Sequence, residues 1–252
     1  MKYSVTVCAL AAMSLLSCKD NKNKENNAPV SETTAMEDDA MTSDQGDWKV
    51  LFDGKNMDGW HAYNGDKPTQ WSIEDNALVL TPAENRSGSE NLITDKEYTD
   101  FELSLEWKIS EGGNSGVLWA VQEDKKYSEP YATGPEIQVL DNERHPDAKA
   151  GTTHQAGALY DMIPPSSEKV VKPAGQWNAM TVTIDHKNNI GVVTLNGTQI
   201  VEFPVEGDKW KEMISKSKFA DWENFGEAKT GKIALQDHGH AVSYRNIKIK
   251  EL

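Results

Sequence analysis

Two short runs of the chain hold side chains of the kinds that move protons and bind ligands. In GPEIQVLDNERHPD, residues 134–147, Glu136, Gln138 and Asp141 are threaded between Ile137, Val139 and Leu140, with His145 close behind. In LQDHGHAVSYRN, residues 235–246, Gln236, Asp237, His238, His240, Arg245 and Asn246 crowd into one short stretch. On a strand, Glu136 and Gln138 point the same way while Ile137 and Val139 face a core. Asp141 has the wrong parity for a regular strand, and a bulge near Leu140 would return it to the polar face. Carboxylates and imidazoles serve as general bases and acids, and amides and guanidinium groups stabilise a developing oxyanion. Glu136 and His238 are therefore candidate bases, and Asp141 is a candidate proton donor if burial raises its pKa. Gln138, Gln236, Arg245 and His240 are candidate substrate-binding groups. The spacing of His238 and His240 also suits a metal, although no third ligand stands in register with them. A divalent metal is thus an option the sequence leaves open. The bland alternative makes Asp237 and His238 a locally satisfied turn and Arg245 a strand arginine paired to an acid.

The elements that must carry these groups show a two-residue period. In FELSLEWKI, residues 101–109, Phe101, Leu103, Leu105, Trp107 and Ile109 share one face and Glu102, Ser104, Glu106 and Lys108 the other, which is a half-buried strand. WSIEDNALVL reads as a hairpin with Asp75-Asn76 at its tip. IGVVTLNGTQIVEF reads as another, with Asn196-Gly197 supplying the positive φ angles of a tight turn. AMTVTIDH, GKIALQDHG and VSYRNIKIK supply further strands, and only residues 208–219, DKWKEMISKSKF, look helical. Many short strands between turn signals predict a β-sandwich or jelly roll. Of the eight tryptophans, Trp119 follows GGNSG and is the candidate platform for stacking a sugar ring.

The N-terminus reads as a targeting segment. Lys2, an apolar stretch from Val5 to Leu16 and the ending LLSC make a secretory signal, too short for the roughly 20 residues that span a bilayer. LLSC resembles a bacterial lipobox, which makes residues 1–18 a lipoprotein signal peptide and Cys18 the lipidated residue. The membrane partner is then reached through that anchor, and an outer-membrane lipoprotein of a bacterial cell envelope is expected. Cys8 lies in the removed segment, so the folded part has no cysteine and no thiolate chemistry. Residues 19–47 are too polar to build a core and read as a disordered tether, spanning on the order of 30 Å. The globular domain is expected over 48–252. A formal charge of −14 argues against nucleic acid as a partner and suits a neutral ligand such as a saccharide.

Several runs in one order then resemble a single family: LFDGKNMDGW (51–60), FELSLEW (101–107), GGNSG (112–116), EIQVLD (136–141), GALYD (157–161), GQWN (175–178), LNG (195–197), IALQDHG (233–239) and YRNIKI (244–249). Together they resemble the 3-keto-disaccharide hydrolase family. The resemblance implies an all-β, concanavalin-like jelly-roll sandwich of two antiparallel sheets, acting on sugars whose C3 hydroxyl is oxidised to a ketone. It implies Glu136, Gln138 and Asp141 as groove-facing residues, carries Gln236, His238 and Arg245 into the site, and makes Asn114 and Ser115 shapers of the backbone. The expected reaction is cleavage of a 3-keto-glycoside by removal of the C2 proton, elimination and hydration. Two rivals stand beside it. One is a non-catalytic carbohydrate-binding module. The other is an ordinary retaining glycosidase, which needs two carboxylates about 5 Å apart.

Overall fold

The computed structural model describes residues 47–83, 85, 86 and 88–252. The signal peptide, the lipidation site Cys18 and the tether lie outside the described residues, apart from Asp47. No described helix is long and apolar enough to cross a membrane. Along the chain come β1 (Lys49–Phe52), β2 (Trp60–Ala62), β3 (Trp71–Glu74), β4 (Ala77–Leu80), β5 (Leu92–Tyr98), β6 (Phe101–Ile109) and β7 (Asn114–Val121). They are followed by β8 (Glu136–Leu140), β9 (Asn178–Asp185), β10 (Ile190–Leu195), β11 (Thr198–Phe203), the helix α1 (Gly207–Ser215), β12 (Gly231–Leu235) and β13 (Val242–Glu251).

The strands form two antiparallel sheets. One has eight strands in the order β11-β10-β9-β6-β13-β4-β3, with β1 also on β13; the other has five, β2-β5-β12-β7-β8. The fold is an all-β jelly-roll sandwich. The alternation read in 101–109 is the burial pattern of β6, whose odd-numbered residues are all buried. Those side chains meet Val117, Trp119, Ile137, Val139 and Leu235 of the smaller sheet in one core, each large apolar group contributing roughly 1.5–3 kcal/mol. Both expected hairpins close with left-handed residues at their tips: Asp75 and Asn76 at φ 49° and 59°, Asn196 and Gly197 at 48° and 82°.

β7 and β8 are buried at every position, so the face of the smaller sheet turned away from the core is covered too. Residues 157–160 run along the edge of β8, with Gly157 N donating to Gln138 O (2.8 Å) and Tyr160 N to Glu136 O (3.0 Å). The helix is shorter than the expected 208–219. Ser217 Oγ donates to Ile214 O (2.8 Å) and accepts from Phe219 N (3.2 Å). Such side-chain bonds compete with a helix. Lys218 N leaves the helical path to donate to Asp161 Oδ2 at 2.6 Å. This early end turns Lys218, Phe219 and Trp222 over the smaller sheet.

Candidate active site

A cleft of about 520 Å³ opens where the ends of β7, β8 and β12 lie side by side. Asn114 of β7, Glu136 and Gln138 of β8, and Gln236 and His238 just past β12 line its floor; Arg86, Tyr160, Lys218 and Trp222 are among its walls. The alternation of β8 does what the sequence suggested. Ile137 and Val139 enter the core, while Glu136 and Gln138 face the cleft although only 7% and 1% exposed. Gly116 stands beside them, and a Cβ there would run into the Glu136 carboxylate. The glycine is needed to make room for the acid.

Glu136 is the unusual group. Among the described residues its only side-chain partner is Gln236, whose Nε2 lies 3.5 Å from Oε2. Burial pushes its carboxyl up to about 8, against a weak opposing pull from Lys218. The other cleft carboxylates are engaged. Asp237 accepts from Arg86, from Glu90 N at 2.7 Å and from Gly239 N at 2.9 Å. Burial works upward on it, but Arg86 and those N–H groups outweigh burial and hold its pKa below the ordinary range. Glu129 accepts from Ser89 Oγ and Asn91 Nδ2, each at 2.7 Å. Gln138 Oε1 accepts from Val139 N at 3.2 Å, which leaves its amide hydrogens as the group on offer. Among the described residues Asn114 Oδ1 and Gln236 Oε1 are buried with no partner, an arrangement that buried acceptors rarely tolerate without a ligand or water.

The wall is tied together by acids. Tyr160 OH donates to Asp147 Oδ2 (3.0 Å), and His154 bridges Asp147 Oδ1 and Asp161 Oδ1 at 2.8 Å each. Burial lowers the His154 pKa, but the two aspartates overcome it and raise the imidazole above its ordinary range. Lys218 Nζ sits 4.2 Å from the centre of the Tyr160 ring.

Not every residue singled out from the sequence reaches the cleft. The β7–β8 ladder runs without a bulge from Leu118 opposite Glu136 to Asn114 opposite Leu140, so nothing returns Asp141 to the polar face. Asp141 instead accepts from Gly112 N (2.7 Å) and Glu143 N (3.1 Å), holding the turn after β8. Arg245 follows the buried Tyr244 on β13 and lies on the outer face of the larger sheet. It binds Glu106 Oε2 at 2.9 and 2.7 Å and stacks 4.0 Å from the centre of Trp177. Trp119 points into the core, its ring centre 5.8 Å from that of Phe203, because its parity on β7 is that of Val117. The positive charge expected of Arg245 comes instead from Arg86 and Lys218. Tyr160 lies in GALYD and was visible there only as part of a family motif; nothing local marked Arg86, Lys218 or Trp222.

His240 is set back from the cleft beside His145 and His238. The three ring centres are 5.4 to 6.1 Å apart. The reason is topological: Asp141 O accepts from His145 N (3.0 Å) in the turn after β8, next to the turn after β12 that carries the other two. Ser115 shapes the strand crossing below them, its hydroxyl donating to Gln236 O at 2.6 Å beside Tyr244 OH at 2.8 Å.

Residues 47–250 match the model of the 3-keto-alpha-glucoside-1,2-lyase-like domain. A 3-keto-disaccharide hydrolase of Bacteroides thetaiotaomicron is 34% identical, the alignment covering 97% of each chain. A crystal structure from Parabacteroides distasonis, provisionally described as a glycosyl hydrolase, is 33% identical with a TM-score of 0.75, covering 82% of this chain and 94% of its own. A second from the same organism, described in the same way, is 29% identical with a TM-score of 0.65, over 82% and 100%. The chain therefore belongs to the family of 3-keto-alpha-glucoside-1,2-lyase-like domains.

Proposed function

We propose that this protein is a carbohydrate-active hydrolase that cleaves the glycosidic bond of 3-keto-glycosides, with Glu136 as the base. The observation that carries this reading is a carboxyl group buried in a ligand-sized cleft with no cation bound to it among the described residues. The name of the 34% identical relative supplies the substrate class, and the unpartnered oxygens of Asn114 and Gln236 suit sugar hydroxyl donors.

The C3 ketone makes the C2 hydrogen acidic, yet it stays roughly ten or more pKa units weaker than a carboxylic acid. The gap to an ordinary carboxylate exceeds about 13 kcal/mol. Lifting Glu136 from 4.5 to about 8 narrows it by about 5 kcal/mol, while at pH 7 roughly a tenth of the groups are ionised, which costs about 1.4 kcal/mol. Preorganised donors must supply much of the remainder. Gln138, Gln236 and Lys218 are placed in the cleft to stabilise charge on the C3 oxygen.

In the first step Glu136 takes the C2 proton and the C–H electron pair enters the enolate. The enolate then re-forms the C3 ketone, the C2 carbanion pair becomes the C1=C2 double bond, and the C1–O bond breaks. The carboxylic acid just formed returns its proton to the departing oxygen, so one group serves as base and then acid. Water adds across the double bond, hydroxyl to C1 and proton to C2, and the balance is hydrolysis. An ordinary retaining glycosidase would need a second free carboxylate facing Glu136, whereas Asp141 holds a turn and Asp237 holds Arg86. A binding module needs no unpaired buried acid, whose desolvation is unfavourable. The lipid anchor at Cys18 and the bacterial envelope location remain part of the proposal, carried by the LLSC run.

The test is a panel of disaccharides with and without C3 oxidation. Turnover of the oxidised members alone is expected. Cleavage of unoxidised sugars would overturn the ketone requirement, and binding of all with turnover of none would favour a module.

A further inference from the structure

The six histidines divide into two sets of three. His61, His154 and His186 are bound by carboxylates: His61 by Asp95 and Glu123, His154 by Asp147 and Asp161, His186 by Asp100. His145, His238 and His240 touch no carboxylate among the described residues; they face one another. One ring nitrogen from each can be chosen so that all three lie within 4.8 Å of one another. The Nδ1 atom of His240 is buried with no hydrogen-bond partner among the described residues. Three imidazoles packed together without an acid gain nothing from each other as bases, since each protonation opposes the next. As neutral nitrogen donors they form half or more of a metal's coordination shell.

We infer that His145, His238 and His240 bind one divalent first-row transition ion, Zn²⁺ or Co²⁺ in character, at the rim of the cleft. An all-imidazole set suits these ions, while Mg²⁺ and Ca²⁺ demand oxygen ligands. Three protein ligands leave a fourth position open, as in metal sites that act on a substrate. His238 lines the cleft, so that position is within reach of the ligand bound there.

The scaffold supports the assignment. Asp237 fixes the turn that carries two of the ligands, accepting from Gly239 N at 2.9 Å, with its own N–H on Asn91 Oδ1 at 3.0 Å. Asp141 fixes the turn that carries the third, its carboxylate on Gly112 N and Glu143 N and its carbonyl on His145 N. These two acids, which looked catalytic or incidental in the sequence, are positioning residues for the imidazoles. Burial and the neighbouring imidazoles push the pKa values of His238 and His240 down from the ordinary histidine range. Closing the set has a definite cost. Bonds of 2.0–2.1 Å at a tetrahedral ion place the nitrogens ~3.4 Å apart, so the rings must turn inward. His145 Nδ1 now accepts from Asp147 N at 3.2 Å. Binding through either ring nitrogen gives up that one hydrogen bond, a small loss beside three metal–nitrogen bonds.

The role of the ion rests on the proposed reaction, in which it would supply a Lewis acid for the C3 oxygen; its binding does not. The test therefore reads binding first. The purified protein is treated with chelator and titrated with Co²⁺, followed by visible absorption and calorimetry. One equivalent and the intense absorption of a four- or five-coordinate nitrogen site are expected, with displacement by Zn²⁺. His145→Ala and His240→Ala should each weaken binding at least 100-fold, while Glu136→Gln binds as the parent does. Should a histidine variant fail to fold, the parent protein still decides. Proton NMR of the Co²⁺ form should show contact-shifted signals from three imidazoles, with His61 and His186 unmoved. No stoichiometric binding, or binding that survives loss of His145 and of His240, would overturn the site. Tight binding without turnover of any 3-keto sugar would uphold it while removing the reaction.

Discussion

The outer faces of the two sheets each carry a glutamate among amides, a cation and a tryptophan, and they come to opposite ends. On the larger sheet Glu106 receives two bonds from Arg245 and one from Asn246 at 2.8 Å. Burial works upward on its pKa, but Asn246 and Arg245 outweigh it and the carboxyl ends below its ordinary range. On the smaller sheet Glu136 has an amide at 3.5 Å and, among the described residues, no bonded cation, and its pKa rises to about 8. Similar residue types in similar strands thus make a surface ion pair in one place and a poised acid in the other. The difference lies in who is placed opposite, and function follows the group left unpaired.

The largest effect that separates them is on turnover. Glu136→Gln should lower kcat on a 3-keto-disaccharide by 10²–10⁴-fold, the usual range for a lost general base, with KM changed little. Glu106→Gln should stay within about threefold of the parent. Equal losses in the two variants would erase the distinction.

Next comes pH. The folded Glu136 carboxyl titrates near 8 and the unfolded one near 4.5, so between those values the native state holds the extra proton. Glu136 therefore leaves stability undiminished below about pH 4.5 and lowers it progressively as pH rises to about 8. The ceiling on this loss is about 5 kcal/mol. Denaturant unfolding of the parent and of Glu136→Gln across that range should show the variant gaining relative to the parent as pH rises. The kcat/KM of the parent should climb through that window, reach half its plateau near pH 8 and level above it, since the base must be ionised. Flat profiles in both measurements would mean an ordinary carboxylate.

Two smaller effects sharpen the contrast. Gly116→Ala pushes a methyl group into the Glu136 carboxylate, and overpacking of this kind costs about 1–3 kcal/mol; at least a tenfold loss of kcat/KM should accompany it. Arg245→Leu removes a partly exposed ion pair and should cost at most about 1 kcal/mol, measured by thermal unfolding, with activity intact.

Much of the fold was legible because it is written in alternation. The strands 101–109 and 178–185 and both hairpins follow from period and turn chemistry, which act over a few residues. Glu136 and Gln138 were legible for the same reason, as parity alone sends them away from the core. Asp141 and Trp119 were not, because their fates depend on a bulge that does not form and on which face of β7 meets Phe203. Arg245 was legible only as the alternative of a strand arginine paired to an acid, because that acid stands 139 residues away. Arg86 and Lys218 were hidden for a related reason. They reach the cleft through the turn around Asp237 and the early end of α1, and the spacing of neither announces a site. His145 showed in the sequence as a neighbour of the polar run, but only the packing of two turns joined it to His238 and His240.

In the proposed reaction the C2 proton leaves the sugar during bond cleavage, a step that a labelled substrate reports. A 3-keto-disaccharide carrying deuterium at C2 of the glycosyl unit is turned over once in ordinary water, and the released sugar is weighed by mass spectrometry. Loss of that deuterium is expected, together with slower turnover than the unlabelled sugar. Full retention of the deuterium at C2 would contradict elimination and return the cleft to direct displacement at C1.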